Sequence, residues 1–198
     1  MNRLAIALLS IGSLLPLGVQ ATEPTTITPP QVNESALAEE ARAFTKQYAA
    51  ALQKTLKDSL MQSGPVSAIE ACKIHAPNIS LQMGQQNGWE VSRTSEKLRN
   101  SNNQPDIWEL EVLGDFKKKV DNGTPAKHLE HYEVVISNGK PAFRYMKAIP
   151  VQGVCLTCHG PQVTGPIKAA IDELFPNDKA TGYQPGELRG AFTLKKTL

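Results

Sequence analysis

The chain has 198 residues, of which 40% are hydrophobic and 20% charged, a composition near the globular average and far from the polar, highly charged signature of disorder. With 21 Lys and Arg against 19 Asp and Glu, the formal net charge is only +2. The basic residues are interspersed with acidic ones, so nucleic acid is not an implied partner. The length suits one domain with a sizeable core.

Asn2 and Arg3 precede an apolar run from Leu4 to Val19 that ends in Val19-Gln20-Ala21, a small-residue cleavage pattern. Residues 1–21 therefore read as a secretory signal peptide. Ser10, Gly12, Ser13, Pro16 and Gly18 interrupt the run, which makes it a poor match to the roughly 20 apolar residues of a membrane span. No cysteine follows it to carry a lipid. The expectation is a periplasmic or secreted protein with no membrane span in the mature chain. Residues 22–32, rich in Thr and Pro and without periodicity, read as a linker, and residues 33–198 as the folded domain.

From about Asn33 the pattern becomes helical, with Ser35 as a possible N-cap. Leu37, Ala41, Phe44, Tyr48, Leu52, Leu56 and Leu60 recur every three or four residues, giving a long amphipathic helix that stops near Gly64-Pro65. A second helix is expected from Pro65, with Val66, Ile69, Cys72 and Ala76 on one stripe. It is interrupted or bent at Pro77 and ends at Gly84 to Gly88. Trp89 to Asn103 reads as polar and irregular. A third helix fits Pro105 to Val120, with Lys117-Lys118-Lys119 as its solvated end.

The period then shortens to that of strands. His128 to Ser137 and Pro141 to Val151 flank Asn138-Gly139, the strongest short-range hairpin signal. Ile167 to Phe175 forms a short helix, Gly182 to Gly186 a turn and Leu188 to Leu194 a last strand. Helices first and antiparallel strands later make an α+β fold.

Between the hairpin and the short helix stands Cys155-Leu156-Thr157-Cys158-His159, the C-x-x-C-H arrangement of c-type haem attachment. Two thiols reach the two vinyl groups on one edge of a porphyrin, and the adjacent imidazole comes to the iron. Export agrees, because covalent attachment in bacteria takes place outside the cytoplasm. Two other chemistries use such a pair. A redox dithiol opens a helix within a βαβ pattern, whereas this motif runs into Gly160-Pro161. A zinc site needs about four ligands, and no second Cys pair exists. Haem c, one per chain, is the expected cofactor, with His159 as axial ligand.

Cys72 is left over as an odd thiol in an oxidising compartment. It is a candidate for the sixth iron ligand, since thiolate is a recognised haem ligand. A buried apolar Cys and an intermolecular disulfide are the alternatives. His75, one turn further on, competes for the ligand role, as do Met61, Met83 and Met146. Spacing alone leaves this choice open.

The segment Ala68-Ile69-Glu70-Ala71-Cys72-Lys73-Ile74-His75-Ala76-Pro77 resembles a small family of single-haem proteins with a PAS-like fold, long catalogued as a domain of unknown function. Further matches run in order through Val91 to Ser95, Leu98 to Asn100, Asn103 to Asp106, Trp108-Glu109, Cys155 to Gly160 and Leu188 to Phe192. The resemblance implies a PAS-like antiparallel sheet and places Cys72 opposite His159 on the iron. His75 falls at a variable position of that motif and receives no role.

Arg93 and Arg99 lie within the matched stretch and suit the carboxylates of haem propionates, which Arg binds in a bidentate way. Tyr145 and Met146, on the strand leading to the motif, are candidates for the pocket wall. His128 and His131 read as surface residues. No acid/base pair, nucleophile constellation or phosphate loop stands out, and a six-coordinate iron leaves no position for substrate, so an enzyme is not expected. The expected role is one-electron redox transfer at low potential with an unknown redox partner protein. The alternative is a haem-based redox or gas sensor that signals to a separate partner by releasing Cys72.

Overall fold

Asn33, and not the expected Ser35, opens the first helix by accepting the Ala36 N–H on its side chain at 3.0 Å, satisfying one of the donors that a helix start leaves free. The computed structural model describes residues 32–198, so the expected signal peptide and residues 22–31 of the expected linker lie outside the described residues. Helix α1 spans Glu34–Asn87 but is two arms that meet at Gly64, where φ is 78° and ψ −178°. This is a backbone conformation that only glycine adopts without strain. The Tyr48 and Ser80 hydroxyls lie 2.5 Å apart although 32 residues separate them. In a straight helix they would be about 48 Å apart. The arms thus fold back side by side, and Gly88 closes the second with a left-handed cap (φ 68°).

Strand β1 (Glu90–Thr94) follows, then helix α2 (Ile107–Asp121), whose start carries a reciprocal cap between Asp106 and Glu109. Strands β2 (Glu130–Ser137) and β3 (Lys140–Pro150) form the expected hairpin. Asn138 (φ 53°) and Gly139 (φ 75°) supply the two left-handed residues of its turn. Helices α3 (Leu156–His159) and α4 (Gly165–Leu174) precede strand β4 (Leu188–Thr197). The four strands form one antiparallel sheet in the order β1-β4-β3-β2. The architecture is α+β, as the sequence indicated.

Alternation along the strands sends side chains to two faces. On one, Phe143, Tyr145, Leu194, Val91 and Trp89 pack with Ala38, Ala41, Phe44 and Tyr48 of α1. On the other, Met146, Ala148 and Ala191 pack with Val112, Leu113 and Phe116 of α2. Full burial of each large apolar side chain contributes about 1.5–3 kcal/mol. A third cluster joins Ile171 and Phe175, at the α4 end, to Ile69 of α1.

Two expectations are corrected. Trp89 to Asn103 is not irregular throughout, because β1 forms at the sheet edge against β4. Only Val91 among its five residues is a large apolar one, so the partner strand's backbone, not its own pattern, makes it a strand. Helices therefore do not all precede strands. Nor does Pro77 interrupt α1, where the non-helical dihedrals fall at Gly64.

Candidate functional site

A 3-10 turn over Gly153–Cys155 runs directly into α3. The motif therefore lies on continuous helical backbone, where residues three and four apart share a face. Cys155, Cys158 and His159 are spaced in this way, and all three line one cavity. Gly160 ends the turn with its N–H on Leu156 O at 2.9 Å. A Cβ there would lie 2.5 Å from the same oxygen, so the position accepts glycine alone.

The His159 ring is oriented by the Ala180 carbonyl, 2.6 Å from Nδ1. A carbonyl only accepts, so Nδ1 carries the proton and Nε2 keeps its lone pair. Burial, reinforced by the Arg189 and Arg99 charges, lowers the His159 pKa to about 3. The imidazole is neutral at ordinary pH, the state in which it ligates metal. Tyr183 stands edge-on to it, with ring centroids 6.3 Å apart.

A separate wall of the cavity comes from the second arm of α1, where Ala68, Ile69, Cys72, Ala76 and Ile79 recur at helical spacing. The space measures about 390 Å³, within the range of about 300–1,000 Å³ usual for ligand sites. Burial pushes the Cys72 thiol up, while the Arg93 and Arg99 charges pull it down. The Cys158 thiol is also raised, by burial.

Of the residues weighed for the second axial position, Cys72 alone lines the cavity. His75 is exposed. Met61 is 78% exposed, and Met146 is buried beneath α2. Met83 packs against the α1 core.

Arg93 and Arg99 both reach the cavity wall, but they differ. Arg93 has no hydrogen-bond partner among the described residues, leaving its guanidinium for an anion. Arg99 is engaged internally: Nε and Nη2 hold the Asp178 carboxylate at 3.0 and 3.1 Å, and Nη2 also donates to Cys158 O at 2.6 Å and Ala180 O at 3.3 Å. These bonds use Nε and Nη2; Nη1 has no partner among the described residues.

The expectation for Tyr145 is corrected outright. It lies in the core under the first arm of α1, its hydroxyl donating to Glu130 at 2.9 Å, away from the cavity wall. Burial and that carboxylate raise its pKa. Strand alternation fixed its face, but a two-residue period does not say how far along the strand the cavity begins. His131 is tied to Glu133 at 3.1 Å, and His128 is exposed.

Sequence reasoning missed Arg189 as a site residue. It lines the cavity, and Nη1 donates to Ser95 Oγ at 2.8 Å and Lys97 O at 3.2 Å. Its signal was the neighbouring Gly190, where a Cβ would lie 2.3 Å from Thr94 O. A glycine forced by close backbone approach marks a crowded junction, here between β1 and β4 beside the cavity.

Among the described residues no three His, Cys, Asp or Glu side chains gather to hold a bare metal ion. The donors instead stand around a roomy cavity. Two thiols on one helical face, a neutral imidazole with a free lone pair, a third thiol on another wall and an unpaired guanidinium together form a donor set that fits an iron porphyrin with carboxylate arms.

A family model described as Tll0287-like matches residues 30–196. The chain belongs to the Tll0287-like family. The crystal structure of the cyanobacterial haem protein Tll0287 is similar to it, with a TM-score of 0.63 and 25% sequence identity over 84% of this chain and 96% of that one. No curated protein matches. The family resemblance carried by the sequence and the family found by comparison agree, and the Tll0287-like chain shares the α+β fold of its solved relative. No described helix is long and apolar enough to cross a membrane.

Proposed function

We propose that this chain carries one haem c, bonded to Cys155 and Cys158 and held axially by His159 and Cys72, and that it moves single electrons in the periplasm or a secreted setting. The observation that carries the reading is the convergence of Cys72, Cys155, Cys158 and His159, from elements far apart in sequence, on one cavity. The haem character of Tll0287 supports it. When bound, the group supplies a reversible Fe(III)/Fe(II) couple.

The rest is the work of the chain. The Ala180 carbonyl fixes the His159 tautomer, so Nε2 would hold the metal without first losing a proton. Arg93 provides a cation for a propionate and favours the thiolate form of Cys72. A thiolate ligand stabilises the oxidised metal, which sets a low potential. His159 and Cys72 would together hold the metal and leave no position on it for substrate, which favours electron exchange with a partner protein.

Acid–acetone extraction followed by a pyridine haemochrome assay tests attachment: retained haem is expected, and its complete extraction would sink the reading. Absorption and spin-resonance spectra of Cys72→Ala and His75→Ala then test the ligand. The wild type is expected to show a thiolate low-spin signal that disappears in the first and persists in the second; a bis-imidazole signal in the wild type, lost only in His75→Ala, assigns the metal to His75.

A sensing role is favoured by one observation. Cys72 sits on the second arm of α1, which begins at the glycine break at Gly64, so release of its sulfur would remove one tie between that arm and the cavity. Carbon monoxide displacing the thiolate from reduced protein supports this second reading, and a thiolate that resists both carbon monoxide and cyanide argues against it.

A further inference from the structure

The Ala180 peptide is held from three sides. Its carbonyl accepts from His159 Nδ1 at 2.6 Å and from Arg99 Nη2 at 3.3 Å. Its N–H donates to Asp178 Oδ1 at 3.0 Å. That same carboxylate is gripped by Arg99 through Nε and Nη2. Arg99, Asp178 and Ala180 thus close a ring of hydrogen bonds. A further bond from Arg99 Nη2 to Cys158 O, at 2.6 Å, ties the ring to the backbone of the attachment turn.

The ring is shielded, since the Arg99 and Asp178 side chains are 11% and 6% exposed. Backbone bonds hold the surrounding loops together: Lys179 N–H to Leu98 O at 2.7 Å, Gly182 N–H to Gly160 O at 3.0 Å and Tyr183 N–H to His159 O at 3.0 Å. A buried ion pair is weak evidence for stability, because desolvation offsets the attraction. This one is spent on a peptide whose carbonyl sets the orientation of an imidazole.

We infer that Arg99 and Asp178 are positioning residues for His159: together they fix the Ala180 carbonyl, and through it the rotation of the ring and the electron density at Nε2. The inference rests on the haem reading above. Arg99 shares the Ala180 oxygen with Nδ1–H and so moderates how strongly the carbonyl polarises the ring. Loss of the ring of bonds leaves the imidazole with more than one orientation on the metal.

The test uses haem-loaded protein as wild type, Arg99→Lys, Arg99→Gln and Asp178→Asn, read by low-temperature spin resonance and by midpoint potential. The expected result is a single low-spin signal in wild type that splits into two or more in Arg99→Lys and in Asp178→Asn, with covalent haem content unchanged. A purely electrostatic pair behaves otherwise. The potential would then fall in Arg99→Gln, rise in Asp178→Asn and hold in Arg99→Lys, with one unsplit signal throughout, and that outcome overturns the inference. So does no change in any variant.

A second measurement needs no variant. The His159 Nδ1 proton of the reduced wild type, followed by nuclear magnetic resonance, is expected to exchange slowly with solvent, and rapid exchange counts against the ring. Absence of covalent haem in the wild type instead rejects the haem reading and is seen before any variant is made.

Discussion

On the α2 face of the sheet, Arg144 is consumed by the fold: it bonds Asp106 at 2.6 Å and Glu109 at 3.1 Å and lies 4.2 Å over the Trp108 ring. Thr193 adds its hydroxyl to Glu109 at 2.7 Å. On the α1 face, Arg93 stands on the wall of a 390 Å³ cavity with no hydrogen-bond partner among the described residues. Two guanidiniums on opposite faces of one sheet therefore have opposite assignments. A charge matched internally serves the structure, and one left unmatched beside a cavity is, on the function proposed above, the one offered to a ligand.

The comparison is sharpest in stability measured on haem-free protein. Arg144→Met leaves Glu109, 10% exposed in its side chain, as a buried unpaired carboxylate and is expected to cost about 3–5 kcal/mol in urea unfolding. Arg93→Met removes no partnered group and is expected to stay within about 0.5 kcal/mol. Equal losses would break the contrast. In haem-loaded protein the order of interest reverses, and Arg93→Met is the variant expected to alter the spectrum and potential.

The junction between β1 and β4 comes next. Gly190→Ala drives a methyl to 2.3 Å from Thr94 O and is expected to cost about 1–3 kcal/mol. Because Arg189 and Ser95 flank that contact, the same variant loosens the cavity wall while leaving the α2 cluster intact. Amide exchange checks this, with protection lost along β1 before it is lost in α2.

The smallest effect lies at the rim of the α1 face. The hydrogen bond from Arg42 holds the Glu130 carboxyl below its ordinary 4.5, so the folded protein binds fewer protons there than the unfolded chain. The resulting stability is present above pH 4.5 and is lost as pH falls through the folded value. Since Arg42 is 42% exposed, the contribution is no more than about 1 kcal/mol. Glu130→Gln is expected to flatten the acid limb of a pH–stability curve slightly, and an unchanged slope removes this contribution.

Much of the fold was legible because its determinants are local. The glycine break at Gly64 and the Asn138-Gly139 turn each act within four residues, and each lies where the pattern put it. β1 was not legible, because an edge strand with one large apolar residue takes its order from the backbone of β4. Arg99 was read as a ligand-facing cation because a side chain's partners are not written near it in sequence; Asp178 and Ala180 meet it only in the folded chain.

The sequence by itself determined the C-x-x-C-H motif of this Tll0287-like protein, since its spacing alone puts Cys155, Cys158 and His159 on one face of a helical stretch. It also marked Cys72 as a thiol in need of a role. Only the tertiary structure decided that Cys72 shares a cavity with the motif and His75 does not, that Tyr145 is core, and that Arg99 serves the backbone around His159. The reason is physical: local spacing sets which face a residue takes, whereas what that face meets depends on the reversal at Gly64 and on the order of strands, which no short segment encodes.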